Sequence, residues 1–230
     1  MTRRLFPFVL TLTALAYALP LAAQTVTEPN SGVAFPVKLT APSGDEHALT
    51  GTGIRTKTFL KVKVYAFGLY VDEAGAAAAL GSFAGKDAKT LEKDKTFYQA
   101  LLQMQFPMTL RLVMTRDVGG DDMAEAFDGA LRPRVIQAAA EKNMPGGEEA
   151  LETFRGFFSV GEMTKDSELL FTCTPDGTLS SSVKGTPNAA LASPALCWAL
   201  FDVYLGDKPI SGDGKKGVAA RFPELLSTSP

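Results

Sequence analysis

The side chains that most often carry chemistry are few in this chain. It has one histidine and two cysteines, too few for the four ligands, or three ligands plus water, of a usual zinc site. His47 ends the polar turn sequence Gly44-Asp45-Glu46-His47, so we expect it to be solvated rather than to act as a general base. The pairs Asp121-Asp122 and Glu148-Glu149 begin predicted helices, where acids interact favourably with the helix dipole. We therefore predict no catalytic residue and no metal site.

Motifs for nucleotides and for hydrolytic chemistry are also missing. Gly51-Thr52-Gly53 begins a Gly-x-Gly sequence, but Thr56 stands where a dinucleotide-binding loop has its third glycine. The chain has no Walker-type loop, no Gly-x-Ser-x-Gly elbow and no His-Glu-x-x-His pair. Its 23 Lys and Arg residues are matched by 25 Asp and Glu residues, which gives no reason to expect a nucleic-acid partner. No cofactor is predicted.

The N-terminus has the pattern of a targeting segment. Arg3 and Arg4 precede an apolar run that ends in Ala22-Ala23, which predicts a signal peptide over residues 1–23 and an exported protein, periplasmic or secreted. The alternative is a transmembrane anchor, which needs about 20 apolar residues. Pro20 and the small residues at positions 22 and 23 favour cleavage. No later segment is long and apolar enough to span a membrane, so we expect no anchor after cleavage.

If the protein is exported, Cys173 and Cys197 can be interpreted in two ways. In an oxidising compartment they can form one disulfide that closes a loop of about 24 residues. Alternatively they are two buried thiols, because Cys173 lies in an apolar predicted strand and Cys197 on an apolar helix face. The sequence leaves both open.

Hydrophobic periodicity predicts an α+β fold with an antiparallel sheet. Residues 24–230 contain no repeat, no linker and no break in composition, and we expect a single domain. The predicted strands are residues 33–40, 48–56, 60–71, 108–116, 168–174 and 178–184, and the predicted helices are residues 74–82, 88–103, 121–141, 148–157, 192–205 and 213–226.

Four stretches of this chain, in the same order, resemble the chalcone isomerase superfamily. They are Gly51–Arg55 with Lys61–Val71, Gly120–Leu131, the hairpin around Pro175-Asp176-Gly177, and Gly217–Leu226. The resemblance extends from Val33 to Leu226. It implies the chalcone isomerase fold, an open-faced β-sandwich in which a large antiparallel sheet is covered by a layer of helices.

The resemblance also implies a role for Arg55. In the family's enzymes, which close a chalcone to a flavanone, the arginine at the matching position stabilises the developing enolate oxygen. In the family's fatty-acid binders, the matching arginine holds the carboxylate together with a tyrosine. Tyr65 stands where the enzymes carry a threonine, and in this respect the chain is similar to the fatty-acid binders.

Other positions that match the enzymes' polar residues are altered. Met123 and Ala130 stand where the enzymes have a tyrosine and an asparagine, and Val203-Tyr204 stand where they have a polar residue and a methionine. The polar network around the substrate is therefore largely missing. Met123, Val203 and Tyr204 are predicted to line the pocket.

These comparisons predict a non-catalytic protein that binds a fatty acid or similar amphipathic carboxylate through Arg55 and Tyr65, in a cleft between sheet and helices. The alternatives are an intramolecular lyase that acts on an enone with Arg55 stabilising the enolate, and a scaffold that binds another exported protein. The two-point anchor has a geometric condition, because ten residues of straight strand would separate Arg55 and Tyr65 by about 33 Å. We therefore predict a chain reversal near residues 56–60.

Overall fold

Antiparallel strands form one layer of the fold in a computed structural model that describes residues 24–57 and 60–227. The predicted signal peptide, residues 1–23, lies outside these described residues. The main sheet has the order β11-β10-β9-β6-β5-β4-β3, with β12 also paired to β10, while β1 pairs with β2 and β7 with β8. In chain order the strands are β1 (Thr25–Thr27), β2 (Ala34–Pro36), β3 (Lys38–Thr40), β4 (Glu46–Lys57), β5 (Val62–Val71), β6 (Met108–Met114), β7 (Val118–Gly119), β8 (Glu162–Met163), β9 (Glu168–Cys173), β10 (Thr178–Val183), β11 (Thr186–Pro187) and β12 (Leu191–Ala192).

Helices pack against one face of the main sheet. Successive strand residues point to opposite faces, and on β5 it is Tyr65, Phe67 and Leu69 that enter the apolar core shared with the helices. The prediction of an α+β fold, with an antiparallel sheet covered by helices, is confirmed. The helices are α1 (Glu73–Ala79), α2 (Ala88–Leu91), α3 (Lys95–Leu101), α4 (Gly120–Lys142), α5 (Glu148–Gly156), α6 (Pro194–Leu205), α7 (Gly212–Val218) and α8 (Phe222–Ser227).

The opposite face of the sheet carries a smaller apolar cluster. Phe35, from β2, packs there with Leu49, Tyr70 and other buried residues. Arg111 stacks over the Phe35 ring, with its Cζ 5.0 Å from the ring centroid, and its Nε donates to Glu168 Oε2 at 3.3 Å. This face is therefore closed by its own contacts, separate from the layer that contains Tyr65.

Two predicted helices are each divided in the structure. The helix predicted over residues 88–103 is broken into α2 and α3, because the Asp94 carboxylate accepts the amide protons of Thr96 and Phe97 and begins a new helix. The helix predicted over residues 213–226 is divided into α7 and α8. The amide of Arg221, between them, donates to the carbonyl oxygen of Thr50 in β4 at 2.8 Å. Both predictions of a continuous helix were wrong, because local capping and a tertiary contact interrupt the periodic pattern.

Candidate functional site

Arg55 and Tyr65 are direct neighbours across two strands. β4 and β5 are antiparallel, and their register places Arg55 opposite Tyr65. The Arg55 Cζ lies 5.8 Å from the centroid of the Tyr65 ring, within the range of a cation–π interaction. The predicted chain reversal is confirmed, and the two side chains can contact one ligand group.

Close backbone packing of α7 fixes the position of β4. A Cβ atom at Gly51 would lie 2.0 Å from the carbonyl oxygen of Gly217, and one at Gly53 would lie 2.5 Å from the Cα of Gly214. Only glycine leaves room for a helix to lie this close to a strand. The Gly-x-Gly sequence therefore seats α7 on β4, two residues before Arg55, and forms no phosphate-binding loop.

The hydroxyl group of Tyr65 makes a buried contact with a helix. It lies 2.8 Å from the hydroxyl of Tyr204 in α6, and the two residues are only 1% and 2% exposed. Burial, followed by the nearby Tyr65 hydroxyl, raises the pKa of Tyr204 well above its ordinary value, with Arg55 acting in the opposite direction. Tyr204 is therefore a neutral hydrogen-bonding group at physiological pH.

A disulfide holds α6 to the sheet. Cys173, at the end of β9, is bonded to Cys197 in α6, with the two Cα atoms 5.8 Å apart. Closing this loop stabilises the fold by about 3 kcal/mol in the chain-entropy model. The bond lies two helical turns before Tyr204, so it helps to fix the part of α6 that reaches Tyr65.

Hydrogen-bond donors remain available at this site. Arg55 is half-buried, and within the described part of the chain its guanidinium has no hydrogen-bond or ion-pair partner and faces only the Tyr65 ring. In the pair of hydroxyls one donates and the other accepts, which leaves one O–H proton without an acceptor among the described residues. A guanidinium fork beside a spare hydroxyl proton, next to an apolar layer, suits the head group of an amphipathic carboxylate.

The other predicted lining residues add apolar surface only. Met123 in α4 and Val203 in α6 are each 2% exposed and belong to the same core as Tyr65. They bring no polar group to the site. The structure thus places Met123, Val203 and Tyr204 in the layer between sheet and helices, and assigns a polar contact to Tyr204 alone.

A groove of about 1030 Å³ lies elsewhere, between α3, α4, α6 and α7. Its lining includes Trp198, Asp202 and Leu205 of α6 but none of the five residues predicted to bind the ligand or line its pocket. The groove and the predicted ligand site are therefore in different places. The unpaired donors of Arg55 and the tyrosine pair mark the site, because they define the chemistry that a ligand must supply.

His47 differs from its prediction. It is fully buried within β4, and its Nδ1 lies 2.8 Å from the Thr109 hydroxyl, which in turn contacts Thr172. Burial lowers its pKa, while Asp72 and Asp45 act in the opposite direction. The prediction of a solvated histidine in a turn was wrong, because β4 begins at Glu46 and includes His47 in the sheet. Eight strand residues, about 26 Å, separate His47 from Arg55, so it takes no part in the site.

The acidic pairs lie where they were predicted. Asp121 and Asp122 occupy the first turn of α4, and Glu148 and Glu149 the first turn of α5. Across residues 24–57 and 60–227, no three His, Cys, Asp or Glu side chains cluster to hold a metal ion. Over the same ranges no helix has the length and apolar character needed to cross a bilayer.

The contact between Tyr65 and Tyr204 was not anticipated by the sequence. The two residues are 139 positions apart, and Tyr204 was identified only as pocket lining. Its position in the segment that aligns with the enzymes' polar pair was the one available signal. The contact itself depends on how α6 crosses the sheet, which periodicity does not specify.

Comparison with known proteins agrees with this architecture. Residues 45–219 match the model of a family described as chalcone isomerase-like. One similar protein is fatty-acid-binding protein 2 of Arabidopsis thaliana, 30% identical over 86% of this chain, which spans about half (51%) of that relative. Fatty-acid-binding protein 1 of the same plant is 27% identical, over 86% of this chain and 71% of its own length.

An enzyme and a solved structure extend the comparison. Chalcone–flavanone isomerase of Oryza sativa subsp. japonica is 29% identical, with 85% of this chain and 88% of the enzyme covered. The crystal structure of an Arabidopsis thaliana fatty-acid-binding protein superposes with a TM-score of 0.74 at 25% identity, over 89% of this chain and 100% of that one. With its helix-covered antiparallel sheet and its matching sequence, this chain belongs to the chalcone isomerase-like family.

Proposed function

We propose that this chain is an exported protein that binds a fatty acid or similar amphipathic carboxylate without catalysis. The observation that carries the proposal is the set of unpaired donors formed by Arg55 and the Tyr65–Tyr204 pair beside an apolar layer. Two of the similar proteins are named for fatty-acid binding, which supports the same class of ligand.

The two parts of such a ligand have separate roles. Each charge-assisted bond from Arg55 to a buried carboxylate contributes about 1.5–3 kcal/mol. Each buried methylene contributes about 0.8 kcal/mol before ordering costs. A long tail would therefore dominate affinity, while the head-group contacts fix its orientation. The tail would enter the apolar layer, where the buried side chains near Tyr65 must move to admit it.

Non-catalytic binding is supported by what surrounds Arg55. Phe67, whose ring centroid lies 4.8 Å from that of Tyr204, and Val203, the preceding residue of α6, offer no group to abstract or deliver a proton. The hydroxyl of Tyr204 keeps its proton because burial raises its pKa. Arg55 can stabilise an anion, but among the residues that the structure describes no general base is placed beside it.

Native mass spectrometry of the purified protein tests ligand binding directly. We expect bound acyl species with the parent protein and their loss in Arg55→Ala. Arg116→Ala is the matched control, because Arg116 is an exposed arginine just beyond the end of β6. Absence of bound lipid and of any fatty-acid affinity in the parent would contradict the proposal.

Export is proposed from the N-terminal pattern and the cysteine pair. A disulfide between Cys173 and Cys197 fits an oxidising compartment. Expression of the full chain in a bacterium, followed by N-terminal sequencing of the protein from the periplasm or medium, should give a chain that begins at Gln24. Recovery of an uncleaved chain from the cytoplasm alone would contradict export.

Intramolecular lyase activity is the second candidate function. It is favoured by Arg55, whose guanidinium can stabilise an enolate, and by the similarity to a chalcone–flavanone isomerase. Incubation with naringenin chalcone distinguishes the two functions. Stereoselective cyclisation above the spontaneous rate, lost in Arg55→Ala, would establish the lyase, whereas racemic product at the spontaneous rate would remove it for that substrate.

A further inference from the structure

One end of the main sheet carries an exposed basic surface close to Arg55. We define the basic tip as Lys57, the last residue of β4, together with Leu60 and Lys61 in the turn before β5 and Lys63 near the start of β5. All four residues are exposed. Leu60 is 70% exposed, more than any other large apolar side chain that the structure describes. An exposed leucine among lysines is a combination that neither the core nor the candidate ligand site explains.

The basic tip has a positive charge that no nearby residue of its own strands offsets. The acid of β4, Glu46, lies at the other end of that strand and pairs with Lys38 at 2.9 Å. From His47 to Val71 the sequence contains four basic residues and no acidic one. Within the described ranges Lys57 and Lys61 have no ion-pair partner, and Lys63 donates its Nζ to the carbonyl oxygen of Asn30. The positive charge is therefore free to interact with an external anion.

Neighbouring elements do not reverse this charge. Arg116 lies at the same end of the sheet, because the amide of the preceding residue, Thr115, donates to the carbonyl oxygen of Val64 at 3.0 Å. Its side chain is exposed. Of the nearby acids, Glu28 is buried and accepts hydrogen bonds from Asn30 and Ser31. Asp117 accepts the amide proton of Lys165 at 2.7 Å. Glu28 and Asp117 thus accept local hydrogen bonds, and the exposed Asp166, whose amide donates to the carbonyl oxygen of Met114, is outnumbered by Arg116 and the lysines.

The basic tip adjoins the proposed carboxylate site. Arg55 precedes Lys57 by two residues, a distance of about 7 Å along the strand. A surface that contacts the basic tip would therefore lie near the unpaired donors of Arg55. Lysine ammonium groups attract anionic lipid head groups, and a single exposed leucine can enter the interfacial layer beneath them.

We propose that the basic tip docks on an anionic lipid surface and that the bound ligand exchanges with that surface at this end of the sheet. The exchange step rests on the proposed function, whereas the docking step does not. Each lysine near an anionic membrane raises binding by about fivefold, so the contact is weak and reversible. This suits a protein that must leave the surface with its ligand.

Co-sedimentation with vesicles of phosphatidylcholine plus phosphatidylglycerol, compared with phosphatidylcholine alone, tests docking. We expect the parent to bind only the anionic vesicles, with binding that weakens as salt is added. Lys57→Glu/Lys61→Glu should lower the partition coefficient at least about 25-fold. The matched control is Lys89→Glu/Lys93→Glu, which changes net charge equally at two exposed lysines around α2 and should leave most of the binding intact.

The contribution of the apolar side chain is tested separately. Leu60→Ser should weaken vesicle binding by about tenfold, while Ile136→Ser, at a 51% exposed residue of α4, should not. Equal binding of parent and Lys57→Glu/Lys61→Glu would overturn the proposal. Vesicle binding that requires the lysines but is unchanged in Leu60→Ser would overturn insertion of Leu60 into the interfacial layer.

Fatty-acid titration in solution distinguishes failure of docking from failure of the proposed function. Lys57→Glu/Lys61→Glu should keep the fatty-acid affinity of the parent while losing vesicle binding. Arg55→Ala should lose fatty-acid affinity while keeping vesicle binding. If neither the parent nor any variant binds fatty acid but the vesicle results hold, docking stands and the proposed function fails. If the parent binds fatty acid but does not bind the anionic vesicles, docking alone is overturned.

Discussion

Replacement of Arg55 by lysine tests the geometry of the candidate site most sharply. The substitution keeps the positive charge but replaces a planar fork by a single ammonium group, which cannot form the two parallel bonds to a carboxylate. It also weakens the cation–π contact, because the Arg55 Cζ lies 5.8 Å from the Tyr65 ring. Charge alone therefore cannot restore the proposed contacts.

The expected effect follows from these two losses. One charge-assisted bond is worth about 1.5–3 kcal/mol, and part of a cation–π contact about 0.5 kcal/mol. Arg55→Lys should therefore weaken fatty-acid binding by about 2–3.5 kcal/mol, or about 30- to 300-fold. Because the guanidinium stays charged throughout, affinity should be constant from neutral pH upward and fall only when the ligand's own carboxyl group protonates.

Isothermal titration calorimetry with one fatty acid at neutral pH measures this effect. Arg116→Lys is the matched control, since Arg116 is exposed beyond β6, and it should bind like the parent. Folding is checked by thermal unfolding of each variant. Binding of Arg55→Lys as tight as that of the parent would refute the two-pronged carboxylate contact.

Three further outcomes are expected. Tyr65→Phe should weaken fatty-acid binding by only about 0.5–1.5 kcal/mol; a larger loss than that of Arg55→Lys in the same calorimetry would reverse the assigned roles. Gly53→Ala should lower the free energy of unfolding, measured by chemical denaturation, by about 1–3 kcal/mol, because its Cβ would lie 2.5 Å from the Gly214 Cα. Gly129→Ala is the control and should not destabilise the protein, because a Cβ there would have no atom within 4 Å. Burial lowers the folded-state pKa of His47 below 6.5. The stability contributed by the neutral imidazole is therefore complete above pH 6.5 and is lost as pH falls below it. Denaturation midpoints that show the same pH dependence in His47→Gln would contradict this.

Local sequence patterns were sufficient to predict the main architecture and one half of the site. Alternation along β5 and the longer helices could be predicted because hydrophobic periodicity is a local property. Arg55 and Tyr65 could be paired from the sequence because the chain resembles a known family at both positions, and the strand rise then required a chain reversal to bring both to one ligand. Resemblance of the surrounding residues to a known family then supplied the chemistry of that pair.

The roles of residues that depend on contacts with distant parts of the chain could be assigned only from the folded structure. The hydroxyl of Tyr204 meets that of Tyr65 across 139 residues, and Cys173 bonds to Cys197 because β9 ends beneath α6. His47 is buried because β4 begins at Glu46 and includes it in the sheet, and Gly51-Thr52-Gly53 serves helix packing because α7 packs against that strand. In each case the residue type was visible in the sequence, but its role depends on which element the fold brings against it, and local patterns do not encode that.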